Sequence, residues 1–199
     1  MFKRAFDVAA SLAVLLLIAP LLLVVAAMIK LDSPGPVFFR QERVGRFGVP
    51  FRIHKFRTMV HDADEAGPQI TVGADARITR VGAVLRRRKL DELAQLIDVL
   101  QGTMSLVGPR PEVPRYVMLY PPALRAKVLS VRPGITDLAS IAFRNEGELL
   151  ARATDPEREY VQVVMPQKLA LAANYADTAS LRLDISILWR TLRLLLGAH

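Results

Sequence analysis

Residues 8–29 read VAASLAVLLLIAPLLLVVAAMI, a stretch without a single charged side chain. A run of roughly twenty apolar residues is long enough for a helix to cross the hydrocarbon core of a bilayer. It exceeds the ~7–15-residue apolar core of a secretory signal, and no small-x-small cleavage site leads out of it. The sequence therefore places a membrane element at residues 1–32 and a separate cytosolic body at residues 33–199. Pro20 sits mid-run, where it lacks an N–H and crowds the preceding helical turn. Lys3 and Arg4 flank one end; Lys30, Arg40, Arg43 and Arg46 flank the other. A simple spanning helix concentrates its cations on the cytoplasmic side. Cations on both flanks fit a helix that breaks at Pro20 and returns to the face it entered from. A proline-kinked spanning helix stands beside that reading, and the residues alone leave both open.

Around this run the composition is that of a water-soluble body carrying one membrane element. Hydrophobic residues make up 52% of the 199 residues and the formal net charge is +8; the mean hydropathy is +0.27. Such a charge calls for an anionic partner: nucleic acid, phospholipid head groups or a phosphorylated substrate. The chain has no cysteine, which excludes a disulfide scaffold, a thiolate metal site and a cysteine nucleophile.

Ser33-Pro34-Gly35-Pro36 ends the membrane element with turn chemistry. Val37-Phe38-Phe39 and Phe51–Phe56, separated by Gly45 and Gly48, predict a β-hairpin with a longer loop. His61 to Ala76 is polar and reads as a mobile surface loop. Leu90, Leu93, Leu96, Ile97 and Leu100 recur at helical spacing, with Gly102 as a stop. Arg132-Pro133-Gly134 suits a type II turn. Asp155 to Leu196 is expected to be helical with an interruption at Pro166. In its last part Leu181, Ile185, Leu188, Leu192 and Leu195 line one face and most arginines another. That pattern fits either an amphipathic helix lying in a membrane interface or a surface helix packed on the core. The expected class is α+β: an N-terminal re-entrant membrane helix, then a mostly helical body with a small hairpin and interfacial amphipathic helices.

Asp91-Glu92 is the first candidate for chemistry. Adjacent carboxylates at a helix start are commonly dipole-friendly surface residues, but the setting here is cationic. Arg86-Arg87-Arg88-Lys89 precedes them and Arg110 follows in a Pro-framed turn. Nearby cations keep a carboxylate ionised, as a nucleophile must be, and can hold a pyrophosphate against it. A second carboxylate beside the first could bind Mg²⁺ together with phosphate oxygens. Lys55 and Arg57 share a strand face with Phe51 and Ile53, which suggests a lined site as readily as snorkelling at a sheet edge. His54, His61 and His199 have no ligand spacing. The chain carries neither a glycine-rich nucleotide loop nor a nucleophilic serine motif.

Several separate motifs, in order and nearly end to end, resemble the bacterial sugar transferase family of small monotopic phosphoglycosyl transferases. They are Lys3-Arg4 with Asp7, Gly35-Pro36-Val37-Phe38-Phe39, Lys55-Phe56-Arg57-Thr58-Met59, Arg77-Ile78-Thr79 and Leu90-Asp91-Glu92-Leu93. Met104 to Pro111, Pro133-Gly134-Ile135-Thr136 and Arg144-Asn145 complete the set. The resemblance implies Asp91 as nucleophile, Glu92 as partner to Mg²⁺, and Asp91 within reach of the metal. It also implies substrate-binding roles for Lys3, Arg4, Lys55, Arg57, Arg88, Arg110 and Arg144. It favours the re-entrant topology, and it implies a UDP-sugar donor, a polyprenyl phosphate acceptor and the cytoplasmic face of a bacterial inner membrane. Inner-membrane lipids are then partners and nucleic acid is not, with self-association left open. Larger members carry further N-terminal membrane helices, and this chain is expected to start at the catalytic unit. Departures from the family pattern fall at Ala19, Lys89, Ala94, Thr103 and the stretch from Asp137 to Glu146, none within the acidic pair or the Pro-Arg-Pro turn. Two rivals from other classes remain: a tethered protein whose basic surface holds anionic lipid or nucleic acid, and a single-pass anchor in a polysaccharide assembly complex.

Overall fold

The computed structural model describes residues 2–60 and 75–197. The expected surface loop lies almost wholly outside the described residues, as do His61 and His199. Helix α1, Phe2–Asp32, is one uninterrupted element with Pro20 inside it, so the chain does not separate into two helices at the proline. A proline costs one hydrogen bond and some strain, and here the helix resumes on its far side.

The ends of α1 are tied to one body. Toward the N-terminus Phe6, Ala10, Leu15 and Ile18 pack on a core cluster containing Leu96, Val99, Met104, Leu106 and Ile187. Toward the C-terminus Leu22, Val25 and Ile29 pack with Phe56, Leu85 and Ala94. Between these anchors Leu16, Leu17, Leu21, Leu23 and Val24 are exposed. Among the described residues this is the one helix long and apolar enough to cross a membrane.

Strands β1 (Phe38–Val44) and β2 (Pro50–Phe56) form the expected antiparallel hairpin, with Phe38 opposite Phe56 and a 3-10 turn at Arg46–Gly48 between them. Helix α2, Arg80–Arg87, is capped by the Thr79 hydroxyl, which accepts from the Gly82 N–H. Lys89 then takes a left-handed conformation, φ 56°, and throws the chain into a 3-10 turn at Leu90–Glu92. Helix α3, Gln95–Gln101, continues from that turn and stops at Gly102, φ 90°, where glycine removes the Cβ clash of left-handed backbone.

Strand β3 (Ser105–Val107) pairs in parallel with β4 (Gly134–Thr136). Helices α4 (Pro114–Val117) and α5 (Pro122–Val128) lie between them in sequence. The type II turn expected at Arg132-Pro133-Gly134 is absent: Gly134 is in β4 and its φ is not positive. Its glycine serves close approach instead. A Cβ on Gly134 would fall 2.1 Å from the Gly108 nitrogen, and one on Gly108 would fall 2.3 Å from the Arg132 oxygen.

The remaining chain forms α6 (Leu138–Ala142), α7 (Glu146–Ala151), α8 (Pro156–Glu159), α9 (Met165–Thr178) and α10 (Leu181–Leu195). Pro166 does not interrupt the helical run as expected. A π-helical turn at Tyr160–Val164 precedes it and Pro166 occupies the first turn of α9, where a missing N–H is harmless. The interruption falls at Ala179-Ser180, where the Ser180 hydroxyl caps α10. Helix α10 buries Asp184 and Ile187. It leaves Ile185, Trp189, Leu192 and Leu196 exposed, a stripe at helical spacing with Arg182 and Arg193 beside it.

A candidate active site on the turn between α2 and α3

A cleft of about 840 Å³ opens between the α2–α3 corner, the Pro109-Arg110-Pro111 turn, β4, α7 and α10. The 3-10 turn carries Glu92 into its wall, with Arg87, Arg88 and Lys89 at the rim. Opposite stands Arg110, fixed through its backbone: its N–H donates to Asp137 Oδ2 at 3.2 Å. The other Asp137 oxygen caps α6, accepting from the Ser140 N–H at 2.6 Å. One buried carboxylate thus sets both the Arg110 turn and the helix behind it.

The adjacent acids meet opposite fates. Arg110 donates to Glu92 Oε2 through Nη1 at 3.0 Å and to Oε1 through Nη2. Lys55 Nζ donates to Glu92 Oε1 at 3.0 Å. Burial works against the Glu92 charge, but the Arg110 and Lys55 cations outweigh it and hold the carboxyl well below its usual range. The same carboxylate raises Arg110 further. Lys55 is pushed down by burial and partly restored by Glu92.

Asp91 accepts no hydrogen bond from the side chain or backbone of any other described residue. Burial and then the Glu92 charge push its carboxyl up, with Lys55 and Arg86 pulling it back. Asp91 is half-buried on the same 3-10 turn, one residue before Glu92, and is not among the residues that line the cleft.

Of the cations expected at the site, the fold gathers Lys55 and Arg110 on Glu92, and Arg88 and Arg144 along the cleft. It takes three elsewhere. Arg57 is buried against the C-terminus of α1, donating to Pro34 O at 2.8 Å and to Ser33 O at 2.6 Å. Lys3 donates to Asp184 Oδ2 at 2.6 Å and to Val107 O at 3.1 Å. Arg4 donates to Val99 O and Leu100 O at the end of α3. All three secure α1 to the body, where helix-terminal carbonyls and a buried carboxylate need donors.

Sequence reasoning passed over Arg43, Glu112, Tyr160 and Lys168, all of which line the cleft. Glu112 follows the Pro-framed turn directly, which was its one visible signal; Tyr160 and Lys168 come from a helical stretch read only for its apolar face. His54 likewise carried no signal, yet it forms a buried strut. Its Nδ1 lies 2.7 Å from Asp98 Oδ1 and its backbone N–H donates to Oδ2 at 2.8 Å. Arg40 Nη1 donates to Nε2 at 2.7 Å. A guanidinium only donates, so the imidazole proton belongs on Nδ1.

Residues 1–198 match the family model described as bacterial sugar transferase, and the chain belongs to that family. It is 42% identical, over 98% of its length, to a UDP-glucose:undecaprenyl-phosphate glucose-1-phosphate transferase of Caulobacter vibrioides, of which it covers 69%. Over the same share it is 37% identical to a UDP-N-acetylgalactosamine-undecaprenyl-phosphate N-acetylgalactosaminephosphotransferase of Aeromonas hydrophila, and it covers 43% of that protein. Over 54% of the chain it is 56% identical to an exopolysaccharide production protein of Rhizobium leguminosarum, covering 54% of it.

Proposed function

We propose that the protein transfers a sugar-1-phosphate from a UDP-sugar to undecaprenyl phosphate through a phosphosugar-aspartyl intermediate, initiating glycoconjugate assembly such as O-antigen, capsule, exopolysaccharide or glycoprotein glycan. The observation that carries this reading is the division of labour in the acidic pair: Glu92 is held by Arg110 and Lys55, with acceptor capacity to spare, while Asp91 takes no hydrogen bond from another described residue. An Asp91 oxygen attacks the phosphorus next to the sugar, the bond to the bridging oxygen breaks, and UMP leaves with the electron pair. An oxygen of undecaprenyl phosphate then attacks the same phosphorus and Asp91 departs as carboxylate. The acceptor needs no base, because a phosphate monoester with a second pKa of about 6 is largely ionised at neutral pH. Arg110 and the rim cations Arg87, Arg88 and Lys89 offset charge on the diphosphate.

The adjacent carboxylates fit Mg²⁺, which takes one or two carboxylates and completes its shell with phosphate oxygens and water. Glu92, with Asp91 beside it, would hold the ion, which when bound neutralises charge on the diphosphate and the leaving UMP. No cluster of three such ligands occurs among the described residues, and this mode does not require one.

A re-entrant α1 at the cytoplasmic face of the inner membrane belongs to the same proposal. It is supported by the tethering of both helix ends to one body, through Lys3 and Arg4 at one end and Asp32 and Arg57 at the other. A water-soluble body can hold both ends only from one side of the bilayer. The exposed stripe of α10, with its arginines, suits the same interface. Single cysteines at Phe2 and Leu31, both highly exposed, test the topology in a chain that has no others. Neither should react with an impermeant thiol reagent in intact cells; labelling of one alone means the helix spans.

The decisive chemical test omits the acceptor. Enzyme and UDP-sugar alone should yield UMP and a protein heavier by one phosphosugar at Asp91, with ping-pong kinetics once acceptor is added. Dependence of UMP release on acceptor, or a ternary-complex rate law, overturns the covalent route.

A further inference from the structure

The cleft continues past Glu92 into a region that the reaction above does not use. Glu112, Glu146, Tyr160 and Lys168 line the same cavity as Glu92 and Arg110. They form one connected set. The Tyr160 hydroxyl donates to Glu112 Oε1. Lys168 Nζ donates to Glu146 Oε2 at 3.0 Å and stands 4.0 Å from Glu112 Oε1. Arg43 Nη1 lies 3.7 Å from Glu112 Oε2. The side chains keep 14% exposure at Glu112, 15% at Lys168 and 28% at Glu146, so each still reaches the cavity.

The charge pattern here differs from that at the rim. Arg87, Arg88 and Lys89 crowd three cations where a diphosphate is welcome, whereas this end matches two carboxylates with Lys168 and Arg43. A second phosphate is poorly served by two carboxylates. A neutral group rich in hydroxyls is well served, because carboxylate oxygens have lone pairs to spare and an ammonium has further protons to give. A nucleobase would want an open aromatic face. Tyr160 offers none: Lys168 Nζ sits 5.1 Å from its ring centroid, and the Tyr116 ring packs against it at 5.0 Å; Phe143, also in the lining, packs against the core cluster.

We infer that Glu112, Glu146 and Lys168 form the subsite that reads the hydroxyl pattern of the donor's sugar, an inference that rests on the proposed function. The α7 start and α9 then decide which sugar is accepted, while the acidic pair performs the same chemistry on any that fits.

Steady-state UMP release by the full chain with UDP-glucose, UDP-galactose and their N-acetylamino counterparts tests this, comparing wild type with Glu146→Gln and Lys168→Met. The ratio of kcat/KM between sugars differing at one hydroxyl should change by about tenfold or more, while the Kd of UMP for the free enzyme stays within about twofold. Glu146→Gln keeps side-chain shape in the first turn of α7, and an unchanged Tm certifies its fold. Equal slowing of every sugar, or unaltered ratios in both variants, overturns the inference. A parallel rise in the Kd for UMP moves the subsite to the nucleotide. A wild type that releases UMP from no UDP-sugar breaks the functional reading itself, which the variants cannot do.

Discussion

Asp98 and Asp91 lie two turns apart on one helical run and are treated in opposite ways. Asp98 is 1% exposed, and its two oxygens are taken by the side chain and backbone of His54. Asp7 on α1 and Asp184 on α10 are satisfied in the same manner by Ser105, Lys3 and Tyr175. Among the described residues Asp91 has no donor beyond its own residue. Burying a carboxylate is unfavourable unless partners offset the lost hydration, so a fold engages its structural acids fully. Under the proposed function, the partner of Asp91 arrives with the ligand. The contrast extends to Glu92, whose partners hold it in place and hold it charged.

The sharpest way to break that contrast is to neutralise Asp91. Asp91→Asn should lower UMP release by about 10³-fold or more, the scale of losing a nucleophile, and remove the covalent adduct seen by intact-protein mass spectrometry. Retained adduct would place the nucleophile elsewhere. Removing an engaged acid should instead unfold the protein. Asp98→Ala leaves the His54 Nδ1–H and a backbone N–H without acceptors in the core and should cost about 2–4 kcal/mol in denaturant unfolding, with turnover by the remaining folded fraction little changed.

A finer test compares neighbours by pH. The Asp91 carboxyl is raised in the folded state, so it favours folding below that raised value and opposes it once ionised. Asp91→Asn should therefore raise Tm at pH 7. Glu92 is lowered, so its contribution is present above the ordinary glutamate range and fades as pH falls through the lowered value. Glu92→Gln should lower Tm at pH 7 and make little difference in strong acid. Shifts of the same sign at pH 7 would erase the distinction drawn between the two. The smallest effect expected is in rate: adduct formation by the wild type should climb with pH through a midpoint above the usual aspartate range, because only the ionised carboxylate attacks.

Much of the cleft was visible in the chain before folding was considered. The apolar run of residues 8–29 announced a membrane element, and Phe38–Phe56 a hairpin, because each pattern is short-range and periodic. Asp91-Glu92 stood out because cations surround it in sequence as well as in space. What escaped was long-range. The parallel β3–β4 pair joins strands nearly thirty residues apart, and neither three-residue strand has a pattern of its own; it also turns the supposed Pro-Gly turn into a close-packed strand start. Pro166 was misread because a π-helical turn upstream absorbs it.

The sequence by itself determined the family, the long apolar helix, the acidic pair and the surplus of cations around it, since these reside in residue identity and near-neighbour spacing. Only the tertiary structure decided how those cations divide. Lys3, Arg4 and Arg57 look no different in the chain from Lys55 and Arg110, yet they are spent on carbonyls and carboxylates that hold both ends of α1. Lys55 and Arg110 instead converge on Glu92, 37 and 18 residues away in sequence. A charge finds its partner through the packing of whole elements, and among the described residues that packing leaves the half-buried Asp91 without one.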